Sequence, residues 1–173
     1  MPVNRKSARL NAITYFGQKA HFVTICCDQR RPHLANPATA ERVLSVLRQC
    51  AGKSAFLLHA YCAMPNHLHI LVHGMQPAVN LLGFVRVFKS RTAFEFKKTG
   101  GRRLWEMSYY DHILRKSDDL GGVACYIWAN PVRAGLCANT KEYLFSGSAI
   151  VDWMNAKKPD AEFMPPWKQP RPV

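Results

Sequence analysis

Residues 56–74 read FLLHAYCAMPNHLHILVHG. Two apolar runs, 56–64 and 67–74, flank Pro65-Asn66, a dipeptide that marks a tight turn. The pattern predicts two adjacent strands joined by that turn. In the second, His67 and His69 sit either side of Leu68. Strand residues alternate between faces, so both imidazoles project to one side, with Cα atoms roughly 6–7 Å apart. Two rings at that separation can close on one metal ion, and imidazole is the commonest metal-binding side chain. The alternative is a pair of histidines on a half-exposed sheet face. His73 shares their parity but lies about 13 Å beyond His69, too far for the same coordination shell. His59 sits on the neighbouring strand, where its facing depends on register.

The rest of the chain supplies partners for this pair of strands. HFVTICC (21–27) is a strand by its β-branched and aromatic content. Residues 28–37 form a loop, and 38–53 an amphipathic helix with Val43, Leu44 and Leu47 on one stripe. The longest helix spans 79–98 and is closed by Gly100-Gly101. An aromatic segment, 103–114, reads as a fourth strand with irregular edges. Residues 117–129 form a helix, with Ser117 as a cap and two aspartates at its positive end. The order β-α-β-β-α-β plus a further helix predicts an α+β, ferredoxin-like or RRM-like sandwich. Its central antiparallel sheet carries helices on one face, plus the C-terminal helix that bears Tyr126. Residues 1–148 are expected to be one domain and 149–173 a polar, proline-rich tail, whose Trp153, Phe163 and Trp167 could stack on bases, cover the active site or belong to a disordered end, the last being the default.

Composition narrows the classes. The 173-residue chain is 48% apolar, which suits a globular domain, and no apolar run approaches the roughly 18 residues of a membrane span. No signal peptide is evident. The six cysteines form no CxxC pair, so neither a structural zinc site nor a disulfide framework is indicated, and a reducing cytosol is the expected compartment. Lys and Arg total 24 against 11 Asp and Glu, a net charge of +13 that favours a polyanionic partner, nucleic acid before an anionic membrane surface. No paired carboxylates mark a two-metal nuclease.

Two histidines make half a metal site. On the helix at 117–129, Tyr126 and Asn130 are four apart and share a face, with Gly122 one turn earlier leaving room for a substrate. A tyrosine hydroxyl can act as a covalent nucleophile when its target is polarised, and an ion held by two imidazoles and an amide oxygen could polarise a phosphodiester. Tyr126 could instead be a core aromatic. Asn130, followed by Pro131 and then Gly135, could cap the next helix. Between residues 86 and 103 only Glu95 offsets seven basic residues, among them Arg86, Lys89 and Arg91, which suggests a track for phosphates. Arg115, Lys116 and Arg133 flank the tyrosine helix, and an N-terminal arm carries Arg5, Lys6 and Arg9.

Taken together, YCAMPNHLHILVH, FKSR, YYDHILRKSDDL and YIWANPVRAGL resemble the single-tyrosine HUH transposases, and among them the REP-associated tyrosine transposases. The resemblance spans about residues 15–148. It implies a nuclease and strand transferase that acts on single-stranded DNA at hairpins. In it, His67, His69 and a polar residue on the tyrosine helix hold Mg²⁺ or Mn²⁺, and Tyr126 forms a 5′-phosphotyrosine link. By position Asn130 is the third ligand, where insertion-sequence members usually carry glutamine. Tyr109 and Tyr110 lie on the extended segment, so they rank below Tyr126 as nucleophiles. The resemblance further implies a cytoplasmic, nucleoid-associated protein that needs no membrane and no protein partner. A monomer is favoured over a dimer that exchanges tyrosine helices. A hairpin-binding module that does not cut is the alternative.

Overall fold

A computed structural model describes residues 11–153, 155 and 163–169. The basic arm with Arg5, Lys6 and Arg9, and tail residues Pro159, Pro170 and Pro172, lie outside the described residues. Strand β1 (Ala20–Cys26) leads through two short 3-10 turns to α1 (Pro37–Lys53). Strands β2 (Phe56–Met64) and β3 (His67–Gly74) follow, then α2 (Leu81–Lys98), β4 (Tyr110–Ile113), α3 (Leu120–Trp128), the short α4 (Asn130–Arg133) and β5 (Ser146–Gly147).

The helices begin where side chains cover free backbone N–H groups. Asn36 accepts from Thr39 N at 3.0 Å, with Pro37 in the first turn of α1, and Asn80 accepts from Leu82 N at 2.9 Å at the start of α2. Gly100, at φ 85°, ends α2 in a left-handed conformation that glycine adopts without strain. The cap expected at Ser117 is not used. Asp118 folds back to accept from Arg115 N at 2.7 Å, so α3 starts later, with Asp119 at its cap position.

The five strands lie in the order β4-β1-β3-β2-β5, every pairing antiparallel. Without the short β5, this is the order of the split β-α-β fold, as expected. β3 is central and buried along most of its length. Its even residues Leu68, Ile70 and Val72 join Val23, Ile25 and Leu58 in a core roofed by α1 and α2, with Leu44, Leu47, Phe84 and Phe88. Leu71 faces the other way, into a smaller core with Phe22, Ala60, Cys62, Val123 and Ile127, which α3 covers. Both faces are therefore covered, and α3 stands on the face that carries His67 and His69. No helix among the described residues is long and apolar enough to cross a membrane.

The segment expected as a strand over 103–114 is regular only at Tyr110–Ile113. Its first half is pulled into the α2 side instead. The Trp105 indole lies 6.0 Å from the Phe88 ring and donates to Thr92 Oγ1 at 2.8 Å, while Thr92 donates to Phe88 O. Backbone bonds Asp28 N to Leu104 O and Glu106 N to Cys26 O, both 2.9 Å, then hold the segment against the end of β1.

Two stability predictions follow from this packing. Thr92→Val removes the acceptor for a buried indole N–H while keeping side-chain volume. It should cost about 1–3 kcal/mol in urea unfolding, the usual penalty for a stranded buried donor. An unchanged midpoint would show the bond to be dispensable. His21 is fully buried on β1, stacks on Tyr15 and finds no hydrogen-bond partner for its ring nitrogens among the described residues. Burial first, then Lys19 and His73, push its pKa down to about 4 from the ordinary 6.5. Between those values the unfolded chain takes up a proton that the folded chain refuses. The contribution is thus complete above pH 6.5 and lost as pH falls through 4. Thermal melts of His21→Leu should lose less stability over that window than wild type.

Candidate active site

The β1–β3 register sets Cys26 opposite His67, Thr24 opposite His69 and Phe22 opposite Leu71. The two imidazoles on β3 therefore meet side chains from β1 on the α3 face. Their Nε2 atoms converge to 3.0 Å. The outer nitrogens are held by neighbours: His67 Nδ1 lies 2.7 Å from Asn66 Oδ1, and His69 Nδ1 lies 2.9 Å from Thr24 Oγ1. Asn66 Oδ1 only accepts, so it places the His67 proton on Nδ1 and leaves the Nε2 lone pair facing inward. The Thr24 hydroxyl can do the same for His69.

Both rings are neutral near pH 7. Burial, with Arg30 and Lys168 adding to it, pushes the His67 pKa down to about 4. His69 is shifted well below the ordinary value, by burial first and then by His67, Lys168, Arg133 and Arg30. Neutral imidazole is the form that binds metal. Two nitrogens at right angles on one ion, each about 2.1 Å from it, would be about 3.0 Å apart. The donor set thus fits a divalent cation as cis ligands, although no cluster of three His, Cys, Asp or Glu side chains exists among the described residues. Among the described residues, a third protein ligand would therefore be another residue type.

α3 delivers the tyrosine. Phe22 links the parts: its ring lies 5.4 Å from His69 and 6.3 Å, edge-on, from Tyr126. Tyr126 is half-buried, neither a core aromatic nor a free surface side chain. Pro131 lacks an N–H, so the Ile127 carbonyl loses its helical partner. Asn130 makes up the loss, with Nδ2 donating to Tyr126 O at 2.9 Å and Ile127 O at 3.3 Å. The capping expected of Asn130 is corrected here. It is the first residue of α4 rather than its cap, and its amide closes the end of α3 through nitrogen. Oδ1 takes part in neither bond.

Arg133 turns back onto the same helix end. Its guanidinium lies 4.2 Å from the Tyr126 ring centre and Nη2 donates to Tyr126 O at 2.6 Å. Burial lowers its pKa, and the neighbouring Tyr126 opposes that shift. Arg133, one of the cations expected to flank the tyrosine helix, is thus brought against Tyr126. Arg115 and Lys116 stay exposed in the loop before α3. The α2 cations are not brought there, because α2 packs on the opposite sheet face. Arg86 is exposed on that side. Lys89 Nζ donates to the carbonyls of Glu106 and Met107 at 2.7 and 2.8 Å, and Arg91 donates to Gln49 Oε1 at 2.9 Å. Lys89 and Arg91 are thus engaged within the fold, on the sheet face opposite the histidines.

Several site residues carried no signal of their own in the sequence. Asn66 reads as a turn residue and Thr24 as a strand former, and only cross-strand register reveals them as partners of the histidines. Arg30, at φ 55° in the loop after β1, contributes charge near His67. His59 sits at a bulge in β2 and stacks on His73 at 5.8 Å, away from the pair. The tail also differs from expectation where it is described. Trp153 packs on Trp128 at 5.7 Å. Phe163 fills the space over Gly122 that had been reserved for substrate. Trp167 stacks on His112 and packs near Phe22. Burial of these rings against the smaller core supplies hydrophobic stabilisation that offsets the entropy lost in ordering the segment around them.

Comparison with known proteins identifies the family of this fold. Residues 14–130 match the family model described as "Transposase IS200 like". A protein of Haemophilus influenzae named as a REP-associated tyrosine transposase is 23% identical over 138 residues, covering 72% of this chain and 76% of its own length. The solved structure of a REP-associated tyrosine transposase bound to a REP hairpin superposes with a TM-score of 0.64 at 19% identity, over 76% of this chain and 78% of that one. A crystal structure described as a transposase from Deinococcus radiodurans gives 0.51 at 19% identity, over 74% and 92%. The chain belongs to the IS200-like transposase family, and its likeness runs to the REP-associated tyrosine transposases.

Proposed function

We propose that this protein cuts and rejoins single-stranded DNA at REP-type hairpins. The reaction would run through a covalent link to Tyr126, with Mn²⁺ or Mg²⁺ held by His67, His69 and Oδ1 of Asn130. The observation that carries this reading is the 3.0 Å convergence of the two Nε2 atoms on the sheet face that also bears Tyr126. Family membership supports a role in transposition. The relative bound to a REP hairpin and the charge of +13 support hairpin DNA as the partner. Imidazole favours Mn²⁺ over Mg²⁺ among the two ions.

When bound, the ion would supply Lewis-acid polarisation of the scissile phosphate. The chain's own groups do the rest. Tyr126 Oη attacks phosphorus and releases its proton to solvent. The Oη–P bond forms as the P–O3′ bond breaks, and the departing 3′ oxygen takes up a proton. The fragment 3′ of the cut stays on the tyrosine through its 5′ phosphate. Attack by a 3′-hydroxyl reverses the step and joins strands, so no high-energy cofactor is consumed. Arg133 fixes the ring from one side and sets a positive charge beside the entering phosphate. Thr24 and Asn66 hold the imidazoles with their lone pairs inward. A monomer is the form we favour, with a dimer that exchanges tyrosine helices as the alternative.

Incubation with Mn²⁺ and a pool of hairpins carrying single-stranded flanks should yield a denaturant-resistant protein–DNA adduct. The adduct should vanish in Tyr126→Phe. Cleavage that survives without an adduct would identify a water nucleophile instead, and binding without cleavage would identify a hairpin-binding module. Thr24→Val should weaken Mn²⁺ binding about 10–100-fold in calorimetry, the usual effect of losing an outer partner of a ligand histidine, with the melting transition kept. Unchanged Mn²⁺ affinity in both Thr24→Val and His67→Ala would remove the metal site from the mechanism.

A further inference from the structure

The loop after β1 leaves the sheet at the His67 end and turns back on itself. Gln29 and Arg30 stand side by side in the left-handed region, at φ 53° and 55°, where residues with a Cβ seldom sit. Bonds on either side hold them there. Cys27 N donates to Asn66 O and Leu34 N to Pro65 O, each at 2.9 Å, so the loop is fastened to the β2–β3 turn before and after these two residues. Arg30 N donates to Cys27 O at 3.0 Å, and Arg103 Nε lies 3.3 Å from Asp28 Oδ1. Trp105 packs on the α2 side, so Glu106, the next residue of that extended segment, points to the site face. Arg30 reaches this carboxylate, with Nε 3.7 Å from Oε1, and its side chain stays 53% exposed.

The two ends of the histidine pair therefore meet different groups. On β1, Cys26 opposes His67 and Phe22 opposes Leu71, about 13 Å apart along the strand. Tyr126 comes in over Phe22, beyond His69. Arg30 comes in beyond Cys26, at His67. Electrostatics give the same order. After burial, Arg30 leads the causes that lower the His67 pKa, whereas it comes last for His69, behind Arg133. In-line displacement at phosphorus puts the entering and leaving oxygens on opposite sides. With Tyr126 entering from the Phe22 side, the departing 3′ oxygen and the strand that carries it point toward Arg30. A 3.7 Å contact between exposed charges is weak, so the guanidinium can exchange Glu106 for a phosphate, which its planar fork binds well.

We propose that Arg30 holds the backbone phosphate next to the cut on the strand that departs with the 3′-hydroxyl, and so keeps that strand in place for rejoining. The proposal rests on the reading of the protein as a single-strand DNA transferase. The two cations then serve opposite sides of the cut, Arg133 beside the tyrosine-linked fragment and Arg30 on the released one. The released fragment has no covalent tie once the P–O3′ bond breaks. The reverse step forms P–O3′, breaks Oη–P and returns a proton to Oη, so it requires only that the 3′-hydroxyl still be present. A left-handed arginine costs stability, and strain of this kind persists where the surroundings over-determine it, often at functional sites.

The test uses the full chain and the hairpin substrate that yields the Tyr126 adduct, labelled at its 5′ end so that the label marks the released fragment. After cleavage in Mn²⁺, a larger share of the label should dissociate from Arg30→Ala on native gels, and rejoined strand should fall relative to adduct. A second measurement needs no metal. In EDTA, the synthetic fragment ending in the 3′-hydroxyl should bind Arg30→Ala about tenfold more weakly, the scale of one charge-assisted bond. Its salt slope should fall by about 0.7, the value for one phosphate of a single strand. The fragment 3′ of the cut should bind variant and parent alike. Arg30→Gly relieves the backbone strain, so it should melt no lower than the parent while losing fragment affinity as alanine does. Equal loss of both fragments, or loss of neither, would overturn the proposal. So would a lower melting temperature in Arg30→Gly with affinities kept, which would make Arg30 a structural partner of Glu106. If the parent forms no adduct with any hairpin, the strand-transferase reading itself fails, and the proposal with it.

Discussion

Everything in the site depends on the alternation of β3 between its two faces, held in place by β1. The even residues are driven into the larger core under α1 and α2 by Leu68, Ile70 and Val72. That burial forces His67 and His69 to the other side. A slip of one residue would exchange the faces, bury two imidazoles against α1 and α2, and expose three aliphatic side chains. The hydrophobic cost of that slip is what aims the histidines. The register then selects their company: Thr24 meets His69, and Asn66, in the turn, meets His67.

α3 completes the arrangement because the same sheet face needs a cover. Val123, Ala124, Ile127 and Trp128 press on Phe22, Cys62 and Leu71. Trp128 is further tied down by its indole, which donates to Gly147 O at 2.9 Å. Helical geometry leaves Tyr126 on the flank of that buried stripe, half-exposed and against the Phe22 ring that also meets His69. The break at Pro131 brings Asn130 and Arg133 back to the Tyr126 carbonyl. A helix end that would otherwise fray is thereby made rigid at the residue proposed to perform the chemistry. Electrostatics agree with this role. Arg30, Arg133 and Lys168 surround two neutral imidazoles with positive charge, a setting suited to a phosphate and hostile to protonated histidine.

Much of this was legible in the residues. The strands at 56–64 and 67–74, both long helices and the pairing of His67 with His69 follow from periodicities that burial enforces locally. The spacing of Tyr126 and Asn130 read as one helix face, but α3 ends at Trp128 and Asn130 opens α4, because Pro131 cannot supply the next helical N–H. The segment 103–109 was misjudged because its aromatic residues look like strand formers, while Trp105 is drawn aside by one buried hydroxyl on α2. The sequence shows that α2 is basic but not which sheet face it covers, because charge in a sequence carries no address. Lys89 is consumed by two carbonyls, and the helix stands behind the sheet. The described tail residues looked unstructured because no period runs through them, yet Trp153, Phe163 and Trp167 each find an aromatic or apolar seat.

Read alone, the chain specifies periods and chemical types: which segments alternate, which side chains share a face, and which groups can bind a metal or attack a phosphate. Those properties are local, set by backbone geometry over a few residues. Register and the side of the sheet on which a helix lands are set by contacts between residues far apart in the chain. Only the folded molecule therefore establishes that Thr24 and Asn66 orient the histidines, that Asn130 spends its nitrogen rather than its oxygen on α3, and that Arg133 rather than α2 supplies charge beside Tyr126. The same long-range packing brings Trp167 onto His112, a contact between residues that no local pattern connects.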